Sequence, residues 1–581
     1  MSPLNFKGAA DMPAFSRSAD TMEWNHTGNW RFLRPRYLDK DAPCSEACPA
    51  AEDIPLIELL AARGDIAGAW QRIREENPFP AICGRVCFHP CEKACNRGEY
   101  DDPVGINSLE RHIADSARRQ KLTPLQPKVA ETGQRVAVIG AGPGGLTAAW
   151  QLRRLGHSVE LFDARQEPGG MLRYAIPTYR LPTDVLNWEI GLILEQGVRF
   201  HPGRVLGGNL GWDELSQFSA VFIATGAWTP NPLGISGEQL ADDGLKFLEE
   251  VREGRTPQVS GPVAVIGGGN TAMDVARTLL RLGAEPTIYY RRRLEDLPAL
   301  AEEVKEVSEE GIAICPLLSP HQISGTAGDL QLSLLPMQVL DDPDESSGRA
   351  RVGTADKPAE LRQVTTVYAA IGFNDSPGLP VGTTEPLGTW LRRLKTDEAP
   401  ETTILLGGDL VNTNRTVITA IASGKAAAIA IDAALKKQII SEQLNAAQIG
   451  GKGAISLNRL QGGDRSERQR HVVGFAELNT IYFRYAGRTE RPGLTLKERQ
   501  TSFDEVQMRI STAMAMAEAE RCFRCGLCDQ CDNCYLFCPD MSVIREKDGE
   551  GRHINFDYCK GCGVCVVECP RNAMLLEEEP R

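Results

Sequence analysis

The order of apolar and polar residues divides the chain into distinct textures. Up to about residue 130, Ile66, Ala69, Trp70 and Ile73 recur at the i, i+3, i+4, i+7 spacing of one helix face, as do Ile57, Leu60 and Ala61. Small helices joined by cysteine-bearing loops are predicted there. From Gln134 to about Leu435, short β-branched runs are each followed by glycines and an Ala/Leu-rich segment, the alternation of parallel α/β sheets. Within that middle, a strand, a glycine turn and a helix follow one another twice, at Gly140 and at Gly267, which predicts two dinucleotide-binding units. A looser connector comes next, with QIGGKGA and Gly462-Gly463 as its flexible points, and a compact cysteine-rich module closes the chain.

Composition narrows the class. A chain of 581 residues with 42% hydrophobic and 24% charged positions is globular and divided into several domains. Its net charge of -13 repels nucleic acid and anionic lipid. No uncharged apolar run reaches the ~18 residues of a spanning helix, and the start, MSPLNFKGAADMP, has no signal-peptide core. A cytoplasmic protein without a membrane span is expected. The 17 cysteines then point to metal rather than disulfides. Six lie between Cys44 and Cys95 and ten between Cys522 and Cys569, while Cys315 stands alone in the middle.

In the first unit the strand run 136–139 enters Gly140-Ala141-Gly142-Pro143-Gly144-Gly145, and a helix follows. Gly140 serves the turn, Gly142 lets backbone approach a pyrophosphate, and Gly145 allows close helix–strand packing. The helix N-terminus favours the negative charge. Asp163, at the end of the next strand, stands where an acid can bind a ribose 2′-hydroxyl. Ala224-Thr225-Gly226 and Gly407-Gly408-Asp409, the latter preceding a helical run from Thr416 and Val417, resemble segments of the two-domain flavoprotein reductases. That resemblance assigns FAD to this unit; the competing reading of Asp409 is a loop acid that caps a helix.

In the second unit the run 263–266 leads into Gly267-Gly268-Gly269-Asn270-Thr271-Ala272, with Ala tolerated at the third position. After its next strand come Arg291-Arg292-Arg293 in place of an acid. A guanidinium can clamp a 2′-phosphate, so Arg291 and Arg292 favour NADP over NAD, unless these arginines only solvate a helix edge or pair with Glu295 and Asp296. The second unit is expected to be inserted between two parts of the first, with the segment from Ala369 to Phe373 belonging to the FAD domain. No catalytic side chain is singled out, because the hydride chemistry belongs to the cofactors. Cys315 alone makes a dithiol reductase improbable.

The strongest motif is at the end. Cys528-x-x-Cys531-x-x-Cys534-x-x-x-Cys538-Pro and Cys559-x-x-Cys562-x-x-Cys565-x-x-x-Cys569-Pro each match the bacterial ferredoxin run, with zinc the competing occupant. The fourth cysteine of each run ligates the other cluster. One 4Fe-4S cluster is therefore expected on Cys528, Cys531, Cys534 and Cys569, and a second on Cys559, Cys562, Cys565 and Cys538.

Cys44-x-x-x-Cys48-Pro, Cys83-Gly-Arg-Val-Cys87-x-x-Pro-Cys91-Glu-x-x-Cys95 and Gly105-Ile-Asn-Ser-Leu-Glu110-Arg, together with Gly169-Gly170-Met171 through Pro177, resemble the small subunit of NADPH-dependent glutamate synthase and its relatives. The likeness runs to about Ile431. It implies a helical N-terminal iron–sulfur domain with two 4Fe-4S clusters, one of them on Cys48, Cys87, Cys91 and Glu110, and it carries Gly170, Met171 and Arg180 as cofactor-binding positions. The family's C-x-x-C ahead of Cys44 is absent from the stretch 34–40. Cys522 and Cys525, left over beside the ferredoxin runs, are the expected replacement, completing a cluster with Cys44 and Cys95 within the chain or from a neighbouring copy; otherwise the N-terminal domain holds a single cluster.

The expected architecture is a multidomain α/β chain. It has a helical iron–sulfur domain at 1–130, an FAD domain at 131–257 and 366–440, an NAD(P)H domain at 258–365, a connector at 441–515, and an α+β ferredoxin-like domain at 516–581. The expected function is that of an electron-transfer subunit of a hetero-oligomeric oxidoreductase. It would exchange hydride between NAD(P)H and FAD, and single electrons between FAD and the clusters, with a larger partner such as a 2-oxoacid:acceptor oxidoreductase or a glutamate synthase large subunit. The alternatives are a stand-alone ferredoxin:NAD(P) oxidoreductase and a non-catalytic relay or assembly subunit.

Overall fold

A computed structural model describes residues 24–124, 129–343, 349–374, 382–399, 401–546 and 551–579. The N-terminal segment judged free of a signal peptide lies outside them. The chain forms two compact units, the smaller made of the residues up to Lys40, Val473–Phe483 and Cys525–Arg581, the larger of Asp41–Val472 and Arg484–Arg524.

In the smaller unit, strand Leu33–Tyr37 pairs antiparallel with the last strand, Met574–Glu578, Leu33 opposite Glu578 and Tyr37 opposite Met574. Arg31 closes the edge with Glu579 at 2.6 Å, and Lys40 Nζ donates to Asn572 Oδ1 at 2.7 Å. This corrects the expectation that everything up to residue 130 forms one helical domain: the early residues 33–40 are part of the ferredoxin-like module. Their alternating polar residues carry no helical period, and their backbone hydrogen bonds are satisfied by the C-terminal strand. A second pair, Val543–Arg545 with Arg552–Ile554, and short helices Asn533–Leu536 and Val564–Val567 complete the module.

The larger unit begins with helices Ile54–Ala62, Ile66–Glu76, Pro80–Val86 and Ile106–Arg119. Ala69, Trp70 and Ile73 are fully buried as their period predicts, whereas on the preceding helix Leu59 is buried and Leu60 is not. A seven-stranded sheet follows in the order Thr383–Leu387, Leu391–Lys395, Thr403–Leu406, Ala220–Ile223, Arg135–Ile139, Ser158–Phe162, Arg199–His201, parallel from Thr403–Leu406 onward. A five-stranded parallel sheet has the order Ala313–Pro316, Ala284–Tyr290, Gly261–Ile266, Thr366–Ala369, Asp242–Asp243.

The order of strands changes two expected boundaries. Thr366–Ala369, assigned to the first sheet from sequence, pairs with Gly261–Ile266, Thr366 opposite Val263. Helix Gly244–Arg252, placed before the second domain, buries Phe247 and Leu248 in the core under that second sheet. The second sheet therefore takes its last two strands and a covering helix from outside the expected insert, Asp242–Asp243 and the helix from the preceding flank and Thr366–Ala369 from the following one.

The connector is not loose along its whole length. Gln448–Ile449 and Ala454–Ile455 form a small hairpin with Ile449 and Ala454 buried, and Arg468 makes a buried two-pronged ion pair with Asp53 at 2.7 and 2.8 Å. Charges in this connector are here enclosed and paired. Helix Val417–Leu435 is long and apolar enough to cross a membrane by composition, and 94% of its apolar window is buried inside the protein. Its Thr416 and Thr419 form a reciprocal N-terminal cap, and Gly424 lets it approach helix Pro143–Arg154 so closely that a Cβ would lie 2.1 Å from the Gly144 carbonyl oxygen.

Candidate functional site

A cavity of about 510 Å³ opens at the C-terminal edge of the first sheet. Gly140 turns the chain with φ +106°, and an added Cβ would lie 2.3 Å from the Ala224 oxygen. Gly142 starts the helix that follows; its Cβ position meets nothing nearer than Gly170 Cα at 3.9 Å, so it is open to the cavity. Gly145 faces the other way, its Cβ position 1.8 Å from the Gly140 oxygen. The three glycines thus do three different things.

Asp163 borders the cavity and accepts hydrogen bonds from the Ala141 and Arg165 N–H groups at 2.6 and 2.7 Å, which rigidifies the turn while leaving each oxygen a free lone pair. Gly140, Gly170, Met171, Thr225, Gly226, Gly408, Asp409, Thr416 and Val417 line the same space. Asp409 Oδ1 is buried without a hydrogen-bond partner, and burial, partly opposed by Arg415, pushes its carboxyl up to about 6. An orphaned buried acceptor beside two helix N-termini fits a ligand that brings hydroxyl donors and a phosphate anion.

From the second fingerprint, Asn270 and Thr271 reach this cavity, while Gly267, Gly269 and Ala272 shape the turn behind it. Gly267 has φ +147°, with its Cβ position 2.2 Å from the Ala370 oxygen. The arginine triplet divides. Arg293 is taken up by Glu295 at 3.0 Å and Asp296 at 2.7 Å, Arg292 donates to the Ala350 oxygen at 3.1 Å, and Arg291 is exposed. The pairing foreseen as the competing role of the triplet therefore falls on Arg293.

Arg180 lines the cavity, yet its guanidinium is committed to Asp274 at 2.7 Å and Glu303 at 2.8 Å, both on helices that flank the second sheet. Expected as a cofactor ligand, it borders the cavity with its guanidinium held in these two ion pairs. A sequence gives no sign of such a pairing across more than ninety residues.

Cys87 sits between Val86 and Phe88, and both of these line the cavity. Cys48, Cys83, Cys87 and Cys91 are all buried, as is Glu110 on helix Ile106–Arg119. Burial pushes the Cys87 thiol up and the charge of Glu110 adds to it; Cys48 and Cys87 add in the same way to the rise at Cys91. Glu110 is itself pushed well up by burial and by the charge of Glu52, partly opposed by the Asn77 amide. Enclosed thiols beside a buried carboxyl are a donor set that fits iron, which would hold them deprotonated.

Asn77, missed in the sequence, donates Nδ2–H to Glu52 at 2.8 Å and to Glu110 at 3.2 Å and so orients the carboxyl. Gly84, inside the Cys83–Cys87 motif, allows the approach of Glu110's helix: its Cβ position lies 2.5 Å from the Arg111 nitrogen. That glycine was the available signal.

Cys44 is buried on helix Pro43–Ala47. Helix Thr512–Glu520 packs on helix Ile54–Ala62, and Arg97, two residues beyond Cys95, donates to the Arg521 oxygen at 2.5 Å and covers the Phe523 ring at 4.9 Å. Cys522 is thereby returned to the neighbourhood of Cys95. Cys525 belongs to the smaller unit.

In the smaller unit the two cysteine runs share one backbone path. Left-handed residues recur at Gln530 and Gly561, at Asp532 and Gly563, and at Met541 and Asn572. Such turns direct successive N–H groups inward, as an anionic cluster requires. Cys538 encloses a small void together with Cys559, Cys562 and Cys565, and burial followed by neighbouring charge, Cys569 included, raises Cys528 to about 12. Tyr37 Oη lies 3.1 Å from Cys534 Sγ, and Asp39 accepts from the Cys528 N–H at 2.9 Å. Among the described residues no three Cys, His, Asp or Glu side chains converge on one metal-ion position. Ligands that each hold a different iron of a cubane need not.

Comparison with known proteins names the family. Residues 134–424 match the family described as pyridine nucleotide-disulphide oxidoreductase. The chain belongs to that family. Members bind FAD and NAD(P). Residues 37–122 match the 4Fe-4S domain II of dihydropyrimidine dehydrogenase and residues 552–575 a 4Fe-4S binding domain, so the oxidoreductase also carries iron–sulfur clusters.

Similar curated proteins include the NADP(+)-dependent formate dehydrogenase subunit beta of Moorella thermoacetica, 33% identical over 83% of this chain and 70% of that one. The NADPH-Fe(3+) oxidoreductase subunit beta of Geobacter sulfurreducens is 36% identical over 58% of this chain and 52% of its own. A Salmonella typhi homolog of the NAD-dependent dihydropyrimidine dehydrogenase subunit PreT is 36% identical over 50% of this chain and 71% of its own. The chain is an FAD- and iron–sulfur-dependent NAD(P)H oxidoreductase of the electron-transfer type.

Proposed function

We propose that this oxidoreductase is the electron-transfer subunit of a hetero-oligomer, drawing hydride from NADPH and delivering single electrons to a larger catalytic redox subunit. The observation that carries the reading is the cavity wall. Val86 and Phe88 bring Cys87 against the same space that joins both fingerprints, so a redox group held by Cys87 lies beside one held in the cavity. Bound FAD supplies the conversion of an electron pair into single electrons, which iron–sulfur carriers accept.

The residues divide the work. Gly140, Gly142 and the start of helix Pro143–Arg154 hold the pyrophosphate, Asp163 a ribose hydroxyl, and Asp409 the polyol chain. Gly267, Gly269, Asn270 and Thr271 position the nicotinamide coenzyme, with Arg291 and Arg292 at its 2′-phosphate. Cys48, Cys87, Cys91 and Glu110 hold the cluster next to the flavin. Cys44, Cys95 and Cys522 are donors for a second, and the eight ferredoxin-run cysteines hold two more, with Cys569 and Cys538 exchanged between runs.

The names of the relatives supply the class of partner: a formate-oxidising, metal-reducing or pyrimidine-reducing enzyme that exchanges electrons rather than atoms with this subunit. The test is anaerobic addition of NADPH, and separately of NADH, to the purified complex, followed by flavin absorbance and by electron paramagnetic resonance of reduced clusters. Bleaching of the flavin together with new cluster signals supports the reading. A flavin that bleaches while every cluster stays oxidised overturns it.

A further inference from the structure

A buried lysine outside both fingerprints faces the cluster loop. Helix Val417–Leu435 starts at the cavity, which Thr416, Val417 and Ala420 line. Lys425 lies five residues beyond Ala420, about 8 Å along the axis at 1.5 Å per residue. Its side chain is 0% exposed. Nζ donates to the Ala50 carbonyl and to Glu76 Oε2, the latter at 2.5 Å.

Ala50 is two residues past Cys48. Ala51, next in line, has φ +55° and returns its N–H to the Cys48 carbonyl at 2.7 Å, making a tight turn around the cysteine. A second buried cation, Arg465, donates to the Ala51 carbonyl. The Cys48 loop is thus pinned by two cations through its backbone oxygens. Glu76 only partly offsets the lysine, because it also accepts from Ser456 Oγ at 2.5 Å and from the Leu457 and Asn458 N–H groups at 3.1 Å each. Its negative charge is shared with these three donors besides the lysine.

Burying a lysine carries a desolvation cost that its ion pair and hydrogen bonds must offset. Here the structure places that charge where it can act. A cluster held by three thiolates and a carboxylate is anionic, and reduction adds one more negative charge. A fixed cation in a low-dielectric surrounding stabilises the reduced form more than the oxidised one and raises the potential. We infer that Lys425 sets the reduction potential of the cluster on Cys48, Cys87, Cys91 and Glu110 and positions the Cys48 loop on the helix that begins at the flavin cavity. The step it favours is the passage of one electron from the reduced flavin to the oxidised cluster, with no bond made or broken at the lysine. The inference rests on the cluster assignment proposed above.

The test is a redox titration of the complete protein, monitored by electron paramagnetic resonance, on four variants. Glu110→Cys identifies the signal, since replacing the carboxylate ligand must change it. Lys425→Met is expected to disfavour reduction of that cluster about tenfold, a shift of 59 mV to lower potential for one electron, leaving the other clusters unmoved. Lys425→Arg keeps the charge and should restore the wild-type value. Glu76→Gln removes the counter-charge and should move the potential upward.

Opposite signs for Lys425→Met and Glu76→Gln separate charge from loosening, which would move both the same way. A wild-type potential in Lys425→Met, or equal signs in the two variants, overturns the inference. If Lys425→Met loses iron, Glu76→Gln decides: an upward shift supports it, and no shift or a downward one overturns it. If Glu110→Cys changes no signal, the ligand set itself is wrong and this inference falls with it.

Discussion

Replacing Gly142 by valine separates binding from folding. Gly142 has φ -77° and ψ -178°, extended backbone that valine adopts readily, and its Cβ position has only Gly170 Cα within 4 Å, at 3.9 Å. The flavin-free fold should tolerate the change. It should even gain a little, since replacing glycine at a compatible position typically adds about 0.4–1 kcal/mol by restricting the unfolded chain. The added methyl groups enter the cavity at the proposed pyrophosphate position, so FAD is excluded. Stability contributed by bound flavin is lost with it, about 2.7 kcal/mol when free ligand stands at 100 times its dissociation constant. Gly145→Ala is the contrast: its Cβ would meet the Gly140 oxygen at 1.8 Å, so the fold itself is strained by at least the ~1–3 kcal/mol of an overpacked core.

The assay is flavin absorbance per polypeptide, with thermal unfolding recorded with and without added FAD. Gly142→Val should lack flavin, melt at or slightly above the flavin-stripped wild type, and fail to respond to FAD. Gly145→Ala should melt below both. A Gly142→Val protein with stoichiometric flavin would refute the placement.

Further outcomes follow from other parts of the molecule. Arg291→Ala/Arg292→Ala should weaken NADPH more than NADH in steady-state kinetics; equal loss for both would contradict the 2′-phosphate assignment. Burial raises Asp409 to about 6, so the flavin-free fold favours its neutral form. That stability is fully present below the ordinary carboxyl range and is lost as pH rises through 6, about 3 kcal/mol in all. Asp409→Asn should remove that part of the pH dependence in denaturant titrations between pH 4 and 6, and an unchanged slope would count against it. Cys522→Ser/Cys525→Ser should lower the iron content by one cluster, whereas full iron would show that these two cysteines hold none.

Local signals made much of the site legible. Each fingerprint is a strand, a turn and a helix in direct succession, so Gly140, Gly142, Gly145, Gly267 and Gly269 announce their backbone roles without reference to the rest of the chain. The ferredoxin runs are legible for the same reason, and the repeated left-handed positions at Gln530 and Gly561 follow from that spacing. What stayed hidden depends on pairing between distant segments. Strand Leu33–Tyr37 finds its partner at the far end of the chain, and Thr366–Ala369 goes to the second sheet because its register fits Gly261–Ile266.

Charged residues misled most. Arg180 is drawn to Asp274 and Glu303, and Arg468 to Asp53, where sequence suggests a cofactor contact and a loose connector. Lys425 sits in an Ala/Ile-rich helix whose composition says only that it is buried. The side chain that a buried charge meets is set by tertiary packing, which no local period records.

Electrons leave the cavity through the group on Cys87 in this reading. Rapid freeze-quench electron paramagnetic resonance after anaerobic mixing with NADPH, on the wild type and on Cys87→Ser, tests it most directly. The flavin should bleach equally fast in both, with cluster reduction prompt in the wild type and strongly slowed or absent in the variant. Clusters that fill at the wild-type rate in Cys87→Ser would show that the electrons take another path.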